Sequence, residues 1–553
     1  MFSFIIAFCR VAVKWFCLFF DKETGAERKI FAGSRLVLDF IGTECYNEQK
    51  THQITMEDIP MKRMLALLCA ILMLASSVVA CGKTETVEST TTAAPDATTA
   101  SASVAQTAPS ETEPPRAFDS VPEQNLGGVF NIRYNQNDNC YVDFLAETLN
   151  GDVKNDAIFE RNAMVEEKLG VDIQITWTDY QSVDSDCKIQ VQSGSSDYDL
   201  FGGHRISLAL SYQGFQYDLK DISALDLTQE WWDQGYVDAA TINDSLYTVI
   251  GDAGVSTLLF VSSLTFNKKL MDEANIAYPY DLVREGKWTM DAFYNTIVDY
   301  GTDLNGDGAV KREDDRLSLI GWGSESGYSG FYSTGFSFIT RDAAGDYVIS
   351  YDSEKLTAIL EKMVKQWTVD YAYFNNGSGV AEHELTYGIF AEGRALFSDI
   401  VLSKIGTFYS AMEDDYGIVP QPKYNEEQEN YYSYLGFTIP ILYIPANASD
   451  PERTGTIMEA CSTASYDHVT PKMFEIVTKL KNVRDEDSSE MIEIIIRNKF
   501  IDTAHFFDVE GYGTLPRNAI AQQSTNTASL IKAFERIAAK EWEKIIDAFE
   551  KLA

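Results

Sequence analysis

Between residues 128 and 201 the apolar positions switch repeatedly between two periods, and no other feature limits the possible fold so tightly. Residues 128–134 alternate apolar and polar side chains, as a strand with one buried face does. Residues 155–170 place Ile158, Val165 and Leu169 on one helical face and stop at Gly170. Residues 171–177 alternate again, residues 183–192 have helical spacing, and residues 198–201 form another short strand. Strand, helix, strand, helix, strand predicts a layered α/β lobe.

Upstream, residues 61–81 read MKRMLALLCAILMLASSVVAC. Lys62 and Arg63 precede a short apolar run, and small residues lead into Cys81. That order is the mark of a secretory signal. The run is too short for a good bilayer-spanning helix, and the polar residues after it could not surround a core helix. A Cys placed directly after small residues resembles the bacterial lipobox. The resemblance implies removal of residues 61–80, a diacylglyceryl lipid on Cys81, and export.

Residues 1–60 do not suit a position ahead of such a signal. Arg10 and Lys14 interrupt their apolar start and would be costly mid-bilayer. A start assigned too early, with Met61 the true one, is the simplest account; a signal-anchor with a looped segment is the alternative. Residues 82–125 are expected to be a tether. Their Thr, Ser, Ala, Pro and Glu bury too little apolar surface to offset the entropy of ordering.

With 45 Lys and Arg against 83 Asp and Glu, the chain has a formal net charge of -38. Such a balance disfavours nucleic acid and anionic lipid headgroups as partners. Cys140, Cys187 and Cys461 are the cysteines of the globular part, with no CxxC spacing. They indicate no disulfide framework or zinc site; one disulfide or buried free thiols both fit.

Several stretches of residues 126–553 resemble the extracellular solute-binding proteins of bacterial ABC importers, in particular the clostridial members of the sugar-binding group. NDAIFERNAMVEEKLGVDIQI (155–175), SSDYDLFGG (195–203), LTQEWWD (227–233), SLYTVIGD (245–252), TFNKKLMDEA (265–274) and EGKWTMDAFYNTI (285–297) carry the likeness. FAEGRALFSDI (390–400) and YGIVPQPKYNEEQENYYS (416–433) continue it. The resemblance implies a two-lobed periplasmic-binding-protein-like α/β fold, with a hinge and a ligand cleft between the lobes. By analogy lobe I is placed at 126–238 plus 413–475, and lobe II at 239–412 plus 476–553. YGIVPQPK is then the strand returning to lobe I. Leu530, Phe534, Ile537, Ile545 and Phe549 share a helical face, so the chain should close with an amphipathic helix.

Residues 303–314 hold the sharpest local motif. Asp303, Asn305, Asp307, the Ala309 carbonyl and Asp314 take the ligand positions of an EF-hand-type calcium loop, with Gly308 at its turn. Position 12 is Asp where the usual bidentate Glu would stand, so weak, structural Ca2+ binding is expected; a solvated turn is the alternative. The ligand-binding expectation falls on aromatics in polar or glycine-bearing stretches. Trp232, Trp288 and Trp322 would stack on flat sugar faces, with Arg205 and Tyr328 as polar partners. Core packing is the competing role for each ring. Residues 321–335, GWGSESGYSGFYSTG, stand out among these stretches.

Enzyme motifs are incomplete. His383 and Glu384 begin an HExxH pattern, but Tyr387 occupies the second ligand position. Glu325 replaces the nucleophile in GSESG, and no phosphate loop occurs. The expectation is a non-catalytic, monomeric, lipid-anchored receptor on the outer face of a Gram-positive cytoplasmic membrane. It would capture a carbohydrate by hinge closure and pass it to an ABC permease. Alternatives are a surface glycoside hydrolase, a binding protein for peptides or other polar solutes, and an adhesion or scaffold protein.

Overall fold

The structure is a computed structural model and describes residues 116–135, 143–144, 146–309, 311–377, 380–436, 439–478, 486–509, 511–524 and 526–552. The expected signal at 61–80, the lipidated Cys81, residues 1–60 and the tether as far as 115 lie outside the described residues, as does Cys140.

Two sheets organise the chain. In the first, β1 (Val129–Asn135), β2 (Asp172–Thr178) and β3 (Leu200–Gly203) run parallel with β1 between the other two. Helix α1 (Val153–Leu169) joins β1 to β2. Asp152 caps its start by accepting from Asn155 N, and Gly170 ends it in the left-handed conformation at φ 62°. Helix α2 (Tyr180–Ser193) joins β2 to β3 behind an Asp179 cap. These elements follow the expected alternation closely.

In the second sheet, β4 (Ser262–Asn267) is antiparallel to its neighbours. Strand β5 (Leu317–Trp322) leads into helix α3 (Gly323–Tyr332) and lies between two parallel partners. One partner is β6 (Ala372–Asn375), reached through α4 (Ser353–Trp367). The other is β7 (Ala395–Val401), which follows α5 (Val380–Ala391) and runs into α6 (Leu402–Tyr409). Strand β8 (Tyr416–Val419) closes the order β8-β4-β7-β5-β6. The β7 strand is buried along its whole length, as a central strand covered on both faces should be.

Three boundaries differ from the sequence reading. Residues 239–261 belong to lobe I: Val249 bridges Leu442, and the turns at Asp252–Leu258 pack on the lobe I helix of residues 451–468. The YGIV segment does not return to lobe I. It forms β8, pairing Tyr416 with Asn267 and Val419 with Leu264. Gly417 is what permits that register, since a Cβ there would lie 2.2 Å from the Phe266 ring. At the other end, Phe118 and Val121 are buried within the stretch read as tether. Asp467 accepts from Ala117 N and Phe118 N, which fixes this segment to lobe I.

The chain crosses between lobes where Val261 bridges Leu435 and Gly436 N donates to Phe260 O at 2.8 Å. Strand β9 (Ser433–Tyr434) also pairs in parallel with a later strand, which makes this junction a small hinge sheet. Strand β10 (Ile441–Tyr443) then joins the first sheet antiparallel to β3. Helix α7 (Pro451–His468) covers lobe I, and α8 (Glu486–Arg497) packs against β8 in lobe II.

Strand β11 (Lys499–Phe500) pairs with β9 and completes the hinge. Beyond it come α9 (Thr503–Phe506), α10 (Leu515–Ala521) and α11 (Thr527–Leu552). Helix α11 is amphipathic, but its buried stripe is Ile531, Ala538, Trp542, Ile545 and Phe549. Ile537, expected on that face, is 45% exposed. The stripe meets both lobes: Trp542 Nε1 donates to Tyr347 O in lobe II, and Phe549 meets Tyr212 and Tyr247 in lobe I. Cys187 and Cys461 are separate buried thiols, and burial raises their pKa values to about 12 and about 11.

Candidate functional site

In open α/β sheets ligands bind beyond the carboxyl ends of parallel strands. In lobe II those ends are Trp322, Asn375 and Val401, and the residues just past them cluster. Glu325, in the first turn of α3, is gripped by Lys404 at 2.6 Å from the first turn of α6. Tyr387 of α5 donates to the other Glu325 oxygen at 3.3 Å. Lys404 also lies 5.4 Å from the Trp322 ring centre. The half-buried Trp322 indole donates to Gly377 O at 2.9 Å and meets His383 edge-on at 4.0 Å.

Beneath this layer Asp399 of β7 accepts from Ser329 Oγ at 3.1 Å. Burial pushes Asp399 up to about 7, helped by the nearby Glu325 charge and opposed by hydrogen bonds from Ser329, Gln421 and Ser326. His383 is lowered, first by burial and then by Lys404. It is therefore a neutral ring beside the indole at neutral pH.

The segment after the hinge brings the lobes together. His505 Nε2 and the Tyr434 hydroxyl are 3.1 Å apart, and Tyr328 of α3 packs on the His505 ring at 5.0 Å. From lobe I, Arg205 donates to His505 O at 2.5 Å and pairs with Asp508 at 3.0 Å. Burial and the Arg205 charge hold His505 well below its usual pKa. Burial raises the Tyr328 phenol, opposed by the charges of Arg205 and Arg517.

On the lobe I side the carboxyl end of β1 holds Asn135. It is fully buried, and among the described residues neither its amide nitrogen nor its oxygen has a hydrogen-bond partner. Leaving such a group unpaired costs about 1–3 kcal/mol, so its amide is a candidate for a polar contact. Tyr180, at the start of α2, is 39% exposed and packs on His204 at 5.3 Å. A separate cavity of about 410 Å³ lies between the α9–α10 segment and α11. It includes Asp508, Phe534 and Glu541 but none of the strand-end groups, so the chemistry points to the strand ends instead.

Three of the five expected binding residues converge here. Trp322 and Tyr328 share the β5–α3 junction, and Arg205 reaches the same His505 segment. The other two do not. Trp232 is fully buried, donating to Glu459 Oε2 at 3.0 Å while Trp231 takes Oε1 at 2.9 Å. It also lies well before the true crossing at 261. Trp288 is fully buried in lobe II, with Nε1 on Pro420 O at 2.9 Å and rings of Phe293 and Phe397 around it. Both are core residues. Asn135, Lys404 and His505 also lie here and were not among the expected binding residues; Glu325 lay in the 321–335 stretch.

The 303–314 loop folds on itself. Asp303 accepts from Gly306 N and Gly308 N, Asn305 from Asp307 N, and Asp307 from Ala309 N while pairing with Lys311. Asn305 Nδ2 and Asp314 Oδ2 are 3.5 Å apart. The buried Asp315, not singled out from sequence, ties the loop by accepting from Leu304 N and Lys311 N. Among the described residues no group of three or more acidic, His or Cys side chains is arranged to hold a metal. The oxygen donors suit a hard cation by type, but Ca2+ would have to displace Lys311 from Asp307.

Comparison with solved structures finds similar chains. The cyclic alpha-maltosyl-1,6-maltose binding protein from Arthrobacter globiformis matches with a TM-score of 0.52 at 12% identity, covering 75% of this chain and 98% of its own. The ABC substrate-binding protein Lmo0181 from Listeria monocytogenes, in complex with cycloalternan, has a TM-score of 0.48 at 11% identity, covering 74% and 98%. RafE from Streptococcus pneumoniae has a TM-score of 0.48 at 15% identity, covering 75% and 98%. The Arthrobacter likeness shows the fold: two α/β lobes about a hinge. No protein-family model matches the sequence, and no curated protein matches it.

Proposed function

We propose that this chain is a non-catalytic extracellular receptor that captures a carbohydrate between its lobes for an ABC importer. The observation that carries the reading is the half-buried Trp322 ring at the carboxyl end of β5, flanked by the Glu325–Lys404 pair. A sugar offers flat C–H faces to such a ring and hydroxyls to charged and amide groups. Trp322 supplies the first contact, and Glu325, Lys404 and Asn135 supply the second. The Arthrobacter protein with the same fold binds a cyclic maltosyl-maltose, which supports carbohydrate as the class.

A receptor of this kind works by closure. A ligand that touches Trp322 in lobe II and Asn135 or Arg205 in lobe I favours the closed state through contacts only that state makes. Glu325 is held by Lys404 and Tyr387, which suits a fixed hydrogen-bonding group better than a proton-transferring acid. The lipid on Cys81, the surface location, the monomeric state and the permease partner belong to the same proposal, supported by the signal-like residues 61–81. Weak Ca2+ binding by Asp303, Asn305, Asp307, Ala309 and Asp314 would be structural.

A thermal-shift screen across sugars tests the reading, with each mixture analysed for cleaved product. A bound sugar stabilises the fold by RT ln(1 + [L]/Kd), about 2.7 kcal/mol at a hundredfold excess over Kd. Stabilisation without product is the expected result. Product formation would instead make the chain a hydrolase, and stabilisation by peptides alone would change the ligand class.

A further inference from the structure

We infer that the cleft selects an acidic carbohydrate, with Arg517 taking the carboxylate of a uronate ring that lies against Trp322. The inference rests on the carbohydrate reading and narrows its class. It follows from how the charges around the lobe II strand ends and the His505 segment are paired. Glu325 is matched by Lys404 at 2.6 Å, Asp508 by Arg205 at 3.0 Å, and Glu382 faces Arg312 at 3.8 Å. Arg517 is left over. Among the described residues no carboxylate pairs with it, although the chain carries 83 acidic residues.

Arg517 is held rather than loose. Its Nε donates to Asn376 Oδ1 at 2.8 Å, and its two terminal nitrogens donate to nothing among the described residues. An amide clamp on Nε fixes the guanidinium plane and leaves the terminal fork for another acceptor. That fork matches a carboxylate by two parallel hydrogen bonds. A neutral hydroxyl uses neither the charge nor the second bond.

Close backbone approaches place Arg517 beside the indole. A Cβ on Gly327 of α3 would meet Arg517 Cα at 3.1 Å, so the glycine lets α10 lie directly on α3. A Cβ on Gly323 would meet Asn375 O at 2.9 Å and Asn376 Oδ1 at 3.2 Å. Trp322 Nε1 in turn holds Gly377 O at 2.9 Å. Thus Trp322, residues 375–377 and Arg517 form one continuous wall, where a ring can stack while its substituent carboxylate reaches the fork. The net charge of -38 does not forbid an anion there. Beyond about 8 Å exposed charges are largely screened at physiological salt, and Glu325, Glu382 and Asp508 are already paired.

The test is calorimetric titration of the full chain with trimers of galacturonate and of glucuronate, the methyl ester of each, and maltotriose. The expected result is an acid trimer bound about tenfold or more tighter than its ester, with the preference shrinking at high salt. Arg517→Gln should abolish that preference by lowering acid affinity to the level of the ester. Arg517→Lys, which keeps the charge and loses the fork, should retain only part of it. Neutral trimers that bind as tightly as the acids, or an Arg517→Gln change that weakens acid and ester alike, would overturn the inference and leave the carbohydrate reading standing. Failure of every trimer and every sugar in the wider screen would overturn both.

Discussion

Trp322 and Trp288 look alike in the sequence but should respond oppositely to the same truncation. Trp288 is fully enclosed, its nitrogen on Pro420 O and its ring 5.5 Å from Phe293 and 6.2 Å from Phe397. Trp288→Ala therefore opens a large core cavity and removes a buried hydrogen bond, costing about 3–5 kcal/mol of folding stability. Trp322 is only half-buried, so truncation leaves less of a cavity. Its main loss should appear as ligand affinity, about 1–3 kcal/mol, or about fivefold to 150-fold in Kd. Trp322→Phe should recover part of that loss, because a ring remains to stack but the bond to Gly377 O does not. The assay pairs unliganded melting with titration of the tightest sugar from the screen. The reasoning fails if Trp322→Ala binds that sugar normally, or if folded Trp288→Ala binds it tenfold worse.

The buried Asp399 makes stability depend on pH in a defined direction. Its pKa is raised from 3.8 to about 7 by burial, so the folded state holds the proton more tightly than the unfolded state between those limits. The parent should thus lose stability relative to Asp399→Asn as pH rises from about 4 to about 7, with no further change above; a difference in melting that stays flat with pH would refute this. In the calcium proposal, chelator should lower the melting temperature of the parent modestly and leave Asp303→Ala, Asp307→Ala indifferent. Equal responses would reduce the loop to a turn held by Asp315. Mass spectrometry of membrane-bound protein should find a diacylglyceryl group on an N-terminal Cys81, and Cys81→Ser should release the protein or stall processing; an intact Met1 peptide on mature protein would exclude that origin.

What the sequence disclosed follows from how locally each feature is determined. Gly170 could be read as a stop because a left-handed residue after a helix needs no long-range partner. The alternation in residues 171–177 could be read because β2 carries its own pleat. The lobe boundaries could not. Residues 239–261 have no sustained period, and they join lobe I through single bridges such as Val249 to Leu442, whose partner lies far along the chain. The YGIV segment is buried all along, so its pattern does not show which sheet it enters. Helix α11 was legible as a helix, but its buried stripe was not fully so, because two lobes rather than one surface select the residues that face inward.

The candidate site lies at the far end of that scale. Trp232, Trp288 and Trp322 all sit among polar residues, and what separates them is the acceptor each indole finds: a lobe I carboxylate, a buried carbonyl, or a loop carbonyl at the cleft. Composition cannot rank those three environments. The groups around Trp322 come from the ends of β5, β6 and β7 and from α10, segments with no shared spacing. Their joint property is electrostatic, since Glu325, Asp508 and Glu382 each find a cation and Arg517 finds no carboxylate among the described residues. Arg161 too has no carboxylate partner among the described residues, but its nitrogens are taken by Asn162, Ser465 and backbone oxygens; Arg517 keeps its terminal nitrogens for an anion in our proposal, and only the fold shows that difference.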